Sequence, residues 1–233
     1  MAIYIPRRFL GSFLKDTITI EIDPRNVRYH VRSARPGNRK IKEKLRSQKT
    51  GNRFEKVVHR QILRVTNALE SFVIDADDYE DVAEFDAFGK YRKVKNFIES
   101  RSDYKSSDWY VELTRSLKEK GSARHKDILM RSEGDIDHFM QNYVLSLLES
   151  LEKDGFDRRK GGGLGRVLIG KDGSIHKCTS GRHRFYSSRI LGIKPIPVRV
   201  AGVHEDWYRE HVGGALNLGK LKYAMAQVQK EYA

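Results

Sequence analysis

The segment Thr179-Ser180-Gly181-Arg182-His183-Arg184 places a glycine, two arginines and a histidine where a helix is predicted to begin. The first amide groups of a helix lack intrahelical acceptors, and the helix dipole puts partial positive charge at the same end. Arg182 and Arg184 add bidentate donors for phosphate oxygens, and His183 adds a hydrogen bond or, if protonated, a charge. These residues predict a phosphate-binding site, with a solvated helix start as the alternative.

The elements around this segment can be predicted from turn and helix-end residues. Asp172-Gly173 is typical of a tight hairpin turn with positive φ, and Gly192 is typical of a helix end. The predicted order is strand Arg166–Gly170, the turn, strand Ser174–Cys178, helix Gly181–Leu191 and strand Pro195–Val200. The segment Gly165 to Asp172 nearly matches a P-loop, but Asp172 replaces the required hydroxyl and the context is a hairpin, so that interpretation is rejected.

The clearest helix is predicted over Asp135 to Lys153. Its apolar residues follow a 3,1,3,1 spacing that puts them on one stripe, and Gly155 follows its end. Asp135 suits the N-cap, where a carboxylate accepts hydrogen bonds from the first free amides. Glu133 lies just before it.

The order of these elements, with Ser180-Gly181-x-His183-Arg184 and Ile196-Pro197-Val198, resembles the ParB/sulfiredoxin-like superfamily over about Arg131 to Val200. That superfamily includes the amino-terminal domain of chromosome-partitioning ParB, sulfiredoxin and free-serine kinases. The resemblance implies that Thr179 to Arg184 bind the phosphates of ATP or another nucleoside triphosphate, with Mg²⁺ carried by the nucleotide. It also implies an α+β fold, with a ParB/sulfiredoxin-like domain at 126–233 after an α/β extension at 1–125.

Residue by residue, the kinase branch of the superfamily fits best. Arg182 occupies the position of sulfiredoxin's catalytic cysteine, and Cys178 is predicted to pack as a small hydrophobe. Only 33 residues follow Val200, too few for the helix-turn-helix of a partitioning ParB. In the kinase branch, the resemblance makes Glu133 the base, with His183 and Arg184 as further catalytic residues, in phosphoryl transfer to a small hydroxyl-bearing substrate. For Glu133, a capping role is the alternative.

A DNA-associated ParB-like protein, a nucleotide switch or nuclease, is the second hypothesis, and a phosphate-binding module without catalysis is the third. Between Asp23 and Arg64 there are 14 Lys/Arg and 3 Asp/Glu, whereas Glu70 to Asp86 carries 8 acids and no Lys/Arg. The basic block could contact nucleic acid weakly and without sequence specificity, or it could pack on its acidic neighbour. The candidate contacts are Arg39, Lys40, Lys42, Lys44, Arg46 and Lys49.

Two further predictions concern the segment after the last predicted strand. His204 and Trp207 could form part of a substrate wall, with Trp207 as a lid or core aromatic as the alternative. Glu205 or Asp206 could hold magnesium through oxygen.

Composition limits the remaining possibilities. The net charge of +14 suggests a polyanionic partner, and the single cysteine excludes a disulfide and a thiolate zinc site. The histidines show no metal-binding spacing, so no transition-metal site is expected. No apolar run approaches bilayer length, which predicts no membrane partner and a cytoplasmic location. A helix over Phe54 to Leu69 and an exposed insertion over Ser33 to Asn52 are also predicted; the oligomeric state is left open.

Overall fold

A computed structural model describes residues 3–13, 16–31, 52, 57–58, 61–62, 65, 70–79, 81–159 and 163–233. The protein belongs to the α+β class, as predicted, with a mixed sheet and packed helices. Most of the predicted 54–69 helix and of the predicted 33–52 insertion lies outside the described residues. Within the described ranges, no helix combines the length and apolar character that crossing a membrane requires.

One mixed seven-stranded sheet forms the centre of the fold. Its strands are β1 (Thr19–Ile22), β2 (Tyr29–Val31), β3 (Val73–Ile74), β4 (Val82–Glu84), β7 (Gly165–Ile169), β8 (Ile175–Lys177) and β9 (Ile196–His204); a separate hairpin contains β5 (Ala123–His125) and β6 (Ile128–Met130). The strand order is β1-β9-β7-β8-β2-β4, with β3 also paired to β9. β9 is parallel to β7 and antiparallel to β1, and β8 is antiparallel to β7 and parallel to β2. The sheet combines strands from both sides of the predicted boundary at residue 125.

The helices pack around this sheet and on one another. The described α-helices are α1 (Arg7–Phe13), α2 (Gly89–Glu99), α3 (Asp108–Lys120), α4 (Glu133–Phe139), α5 (Ser146–Asp154), α6 (Arg182–Leu191), α7 (Glu205–His211) and α8 (Leu218–Tyr232); shorter 3₁₀ turns cover Ala76–Asp78, Phe85–Ala87 and Arg101–Ser106. Of these helices, α6 contacts α2, α5 and β7, while α8 contacts β1.

The β7–β8 hairpin and α6 occur where the sequence predicts them. Gly170 N donates to Ser174 O at 2.8 Å, and Gly173 N donates to Gly170 O at 3.2 Å, which closes the turn. Gly173 has φ of 83°, and Gly192 ends α6 with φ of 73°. Both positions therefore need the left-handed backbone that glycine adopts without strain.

Proline has no amide to donate to a sheet, yet Pro197 lies inside β9. Pro197 is opposite Glu21 of β1, and pairing with β7 begins only at Val198. Glu21 N donates to Gln229 Oε1 at 2.9 Å instead of to β9. The sheet therefore needs no amide from Pro197 at this point, which explains why a proline is tolerated.

The long predicted helix is present, but it contains a wide turn and begins earlier than predicted. α4 and α5 are joined by a π-helical segment at Met140–Leu145, a wider turn than the α-helix. The N-cap is Ser132 and not Asp135: Asp135 N donates to Ser132 Oγ at 3.1 Å, and Ser132 N donates to Asp135 Oδ2 at 3.1 Å. This is a capping box, in which Asp135 still serves as a capping carboxylate.

Candidate functional site

A cavity of about 820 Å³ lies at the N-terminal end of α6. Its other walls come from α2, α3, the β5–β6 hairpin, the π-helical segment and α5. Cavities of this size are typical of small-molecule sites. All six residues of the predicted phosphate-binding segment, Thr179 to Arg184, line it. We call this segment the cradle.

The backbone of the cradle depends on a glycine for reasons of packing. Gly181, the N-cap residue of α6, has φ of 65°. A Cβ added there would lie 2.8 Å from Gly165 Cα and 2.9 Å from Leu164 O. This close approach is made by the chain itself, at the start of β7. Gly181 supplies no side-chain cap to α6. The first amides of this helix are therefore suited to an anionic ligand.

Lys177 contacts the backbone of the cradle, of Cys178 and of β7, a role that was not identified from the sequence. Its side chain is fully buried, and its ammonium donates to the carbonyl oxygens of Arg166 at 3.3 Å, Ser180 at 2.5 Å and Cys178. Burial lowers the pKa of Lys177 to about 7. Two of the three acceptors lie in the loop between β8 and α6, so this ammonium holds the loop in shape and adds positive charge behind it.

The two arginines of the cradle differ in their contacts. Arg182 makes no hydrogen bond or ion pair within the part of the chain that the structure describes. Arg184 donates to Asp157 O at 2.5 Å, and its guanidinium carbon lies 3.8 Å from the centroid of the Phe156 ring. Arg184 therefore also fixes the chain after α5, whereas Arg182 has its donors available for a ligand.

His183 lies in a cluster of rings at the cavity wall. Its ring centroid is 5.1 Å from that of His125 and 5.4 Å from that of Trp109, and the ring of Tyr143 is adjacent. Burial, with a smaller contribution from nearby cationic groups, lowers the pKa of His183 to about 3 and that of His125 to about 4. His183 is therefore neutral at pH 7. Of the two roles predicted for it, hydrogen bonding is compatible with this state and a positive charge is not.

The cavity wall is strongly cationic. Among the residues that the structure describes, six lysines and arginines line it, against one carboxylate, that of Glu112. Glu112 forms an ion pair with Lys93, so its charge is partly neutralised within the wall. The six cationic residues are Lys90, Lys93, Arg124, Lys126, Arg182 and Arg184. Such a cavity attracts anions.

The donor set of the cavity agrees with magnesium that arrives on a nucleotide. Among the described residues there is no group of three or more His, Cys, Asp and Glu side chains that could hold a metal ion. Hard cations such as Mg²⁺ are held by one or two carboxylates together with phosphate oxygens. Glu112 is the one described carboxylate on the wall, and hydroxyls of Thr179 and Ser180 lie beside the cradle.

The structure does not bring Glu133 into this cavity. Glu133 is an exposed residue in the first turn of α4, whereas the cavity contacts the other end of this helical region, from Asn142 to Leu151. The position fits the alternative that the sequence left open, a carboxylate favoured at a helix N-terminus.

His204 and Trp207 also lie away from the cavity. β9 runs parallel to β7, so its last residue, His204, lies beside the β7–β8 turn and not beside the cradle. His204 Nδ1 accepts a hydrogen bond from Asp206 N at 3.1 Å, and Asp206 pairs with Lys171 at 2.9 Å. Trp207 is buried, as in the core alternative. No substrate wall forms from these two residues among the described part of the chain.

The β7–β8 turn carries a hydrogen-bonded chain of its own, which we call the turn-end network. Asp172 Oδ1 is 2.5 Å from Ser174 Oγ, which is 2.8 Å from His176 Nε2. His176 Nδ1 is 3.0 Å from Tyr79 Oη. Burial lowers the pKa of His176 to about 4, so this imidazole is neutral. Each polar group has a partner inside the network.

Two other predictions concern separate parts of the chain. Cys178 is buried among Val31, Ile74, Leu168 and Ala201, which confirms its packing role. The nucleic-acid candidates Arg39, Lys40, Lys42, Lys44, Arg46 and Lys49 lie outside the described residues.

Comparisons with protein-family models, with curated proteins and with solved structures find no match to this chain.

Proposed function

We propose that this protein binds a nucleoside triphosphate through a ParB/sulfiredoxin-like cradle and transfers a phosphoryl group to a small hydroxyl-bearing substrate. The observation that carries the proposal is the coincidence of the cradle with the cationic cavity. A helix start alone would be a weak signal, but this one opens into a space of about 820 Å³ with six basic side chains on its wall.

The roles of the cradle residues follow from their contacts. The first amides of α6 and the guanidinium of Arg182 would bind phosphate oxygens and stabilise the charge that develops during transfer. Arg184 lines the same space while anchoring the chain at Asp157. Mg²⁺ bound between the phosphates would neutralise part of their charge. His183, being neutral, could only exchange a hydrogen bond with the ligand.

Within this proposal Glu112, and not Glu133, is the carboxylate that orients the acceptor hydroxyl. Glu112 is the one carboxylate among the described residues that line the cavity. The ion pair with Lys93 uses Oε2 of Glu112, so within the described part of the chain Oε1 is available to accept a hydrogen bond from the acceptor hydroxyl.

Nucleotide binding is tested by calorimetric titration of ATP, CTP, GTP and pyrophosphate, each with Mg²⁺. At least one nucleotide should bind, and Arg182→Ala should lower its affinity by about 10- to 100-fold, the value of a charge-assisted hydrogen bond. Lys171→Ala is the matched control, because it removes an exposed cation at the far end of the same hairpin. Binding by none of these ligands, or equal affinity in Arg182→Ala, would overturn the phosphate site.

Phosphoryl transfer is tested separately by turnover. Glu112→Gln should keep nucleotide affinity and lose most of its turnover with a pool of small alcohols and hydroxy acids, because the amide binds the hydroxyl less well. If the unaltered protein binds a nucleotide but phosphorylates none of these compounds, the cradle is a binding module, and the transfer part of the proposal is wrong.

A further inference from the structure

We propose that the cavity binds two anions at once: the phosphates of the nucleotide at the cradle, and a phosphorylated small molecule at a basic wall formed by Lys90, Arg124 and Lys126. The identity of the first ligand rests on the proposed function. The second site rests on features of the cavity that the cradle does not explain.

The basic wall belongs to elements other than the cradle. Lys90 is in α2, and Arg124 and Lys126 flank His125 at the tip of the β5–β6 hairpin. All three side chains are exposed and line the cavity. Lys90 and Arg124 form no ion pair among the described residues. The wall therefore presents cations that the protein itself leaves unneutralised.

The basic wall and the cradle face one common space. Lys126, Lys90 and Arg182 all lower the pKa of His125, and the same three lower that of His183. Arg182 also contributes to the lowered pKa of Lys90. The basic wall and the cradle therefore act on the same two rings from different elements of the fold.

A nucleotide alone leaves part of the positive charge of the cavity uncompensated. Among the described residues, the cavity wall has six cationic residues and one anionic residue, a surplus of five charges. A triphosphate carrying Mg²⁺ retains about two negative charges, so about three positive charges stay uncompensated when it binds. A phosphate monoester, at about −2, offsets most of that remainder, whereas a carboxylate offsets only about one charge. The second ligand is therefore assigned as a phosphate monoester with a free hydroxyl, the acceptor of the transfer.

The backbone at Lys126 supports a role for its side chain. Lys126 has φ of 52°, a conformation that glycine adopts far more readily. Its ammonium lies 3.3 Å from Tyr143 Oη and 5.9 Å from the centroid of that ring, at the cavity wall. Strained positions of this kind cluster at functional sites, and here the strained residue carries one of the three cations.

The experiment titrates inorganic phosphate into the protein saturated with Mg²⁺ and a non-hydrolysable analogue of the nucleotide it binds. One phosphate should bind per chain. Lys126→Gly should reduce this affinity at least tenfold and should weaken nucleotide binding much less than Arg182→Ala does, because Lys126 is not part of the cradle. Because glycine relieves the backbone at this position, the variant should melt at the same or a higher temperature, which separates loss of the site from loss of the fold. Arg124→Ala should weaken phosphate binding in the same way.

The controls separate this proposal from the proposed function. Lys118→Ala with Lys120→Ala removes two exposed cations of α3 that do not line the cavity, and it should change neither affinity. If no nucleotide binds, phosphate is titrated alone, and a site lost in Lys126→Gly but kept in Arg182→Ala still supports the basic wall. Three results would overturn it: phosphate that binds only in competition with nucleotide, phosphate affinity unchanged in Lys126→Gly, or acetate binding as tightly as phosphate.

Discussion

The two ends of the β7–β8 hairpin contain similar polar residue types, but these residues are paired with one another at one end and largely unpaired at the other. At the turn end, Asp172, Ser174, His176 and Tyr79 satisfy one another in a hydrogen-bonded chain. At the cradle end, Arg182 and the basic side chains of the cavity wall have almost no acidic partners among the described residues. Both ends contain neutral histidines, so the presence of histidine does not distinguish them.

The contrast shows which polar groups are available for a ligand. A network whose donors and acceptors are paired internally stabilises the fold and has few hydrogen-bonding groups available for a ligand. Cations that surround a cavity without counter-ions repel one another and raise the free energy of the unliganded protein. A bound anion relieves this repulsion. Functional assignment in this chain therefore follows from unsatisfied charge and not from residue type. Four experiments test this contrast.

The largest effect is expected from alanine at the glycines of the two ends. Gly181→Ala should destabilise the protein by about 3 kcal/mol or more, because its Cβ would overlap the backbone of Gly165 at a positive φ. Gly173→Ala should cost about 1 kcal/mol, since its Cβ meets nothing closer than Trp207 Nε1 at 3.6 Å. Urea unfolding of the two variants measures this difference. Equal losses would contradict the close packing of the cradle.

A pH effect of intermediate size is expected from Lys177. Its folded pKa, about 7, is below the ordinary lysine value of 10.5, so between these pH values the unfolded state binds more protons. Stability should therefore rise with pH in this window, by about 1 kcal/mol per pH unit at most. Urea unfolding from pH 7 to 9.5 checks this, with Lys177→Met as the comparison. The proposed burial of the ammonium is wrong if both proteins show the same slope.

A smaller effect is expected on the histidines when an anion occupies the cradle. Pyrophosphate should raise the pKa of His125 and of His183 by about 1, because a nearby negative charge favours the imidazolium. The pKa of His176, in the turn-end network, should not change. Imidazole proton resonances titrated from pH 2 to 7 report all three. A similar rise at His176 would mean that the anion binds elsewhere.

The smallest effect is expected at Glu133. Glu133→Gln should leave nucleotide affinity and turnover within about twofold of the unaltered protein, since its side chain is exposed and outside the cavity. Ser132→Ala, which removes the N-cap of α4, should lower stability by about 1 kcal/mol. If Glu133→Gln instead lost turnover while keeping nucleotide affinity, the base predicted from the sequence would be correct.

What could be predicted from the sequence was local. Gly192 ends α6 and Gly173 forms the turn because each needs a positive φ that its immediate neighbours impose. The cradle is a continuous segment, so its residues could be found together. The capping box was missed because Asp135 was assigned the N-cap, although the spacing from Ser132 to Asp135 is a recognisable capping pattern.

What could not be predicted depends on contacts between distant segments. Lys90, His125 and Tyr143 come to the cavity from three separate elements, and no spacing in the sequence relates them to Arg182. Lys177 resembles a solvent-facing strand residue, and only the position of β8 between β7 and β2 buries it. The sequences of β7 and β9 do not reveal that the two strands are parallel. The position of His204, at the turn end of the hairpin and away from the cradle, could therefore not be predicted.

The π-helical turn at Met140–Leu145 has a consequence for how the length of this chain can vary. A π-helical turn holds about one residue more than an α-helical turn and leaves the phase of the helix on either side of it unchanged. Deleting one residue from this segment should thus leave Phe139 and Leu148 in place, whereas a deletion within α5 would rotate all that follows by about 100°. Along this helix, the π-helical segment is the place where the chain can lose a residue, and the α-helical turns on either side of it are not.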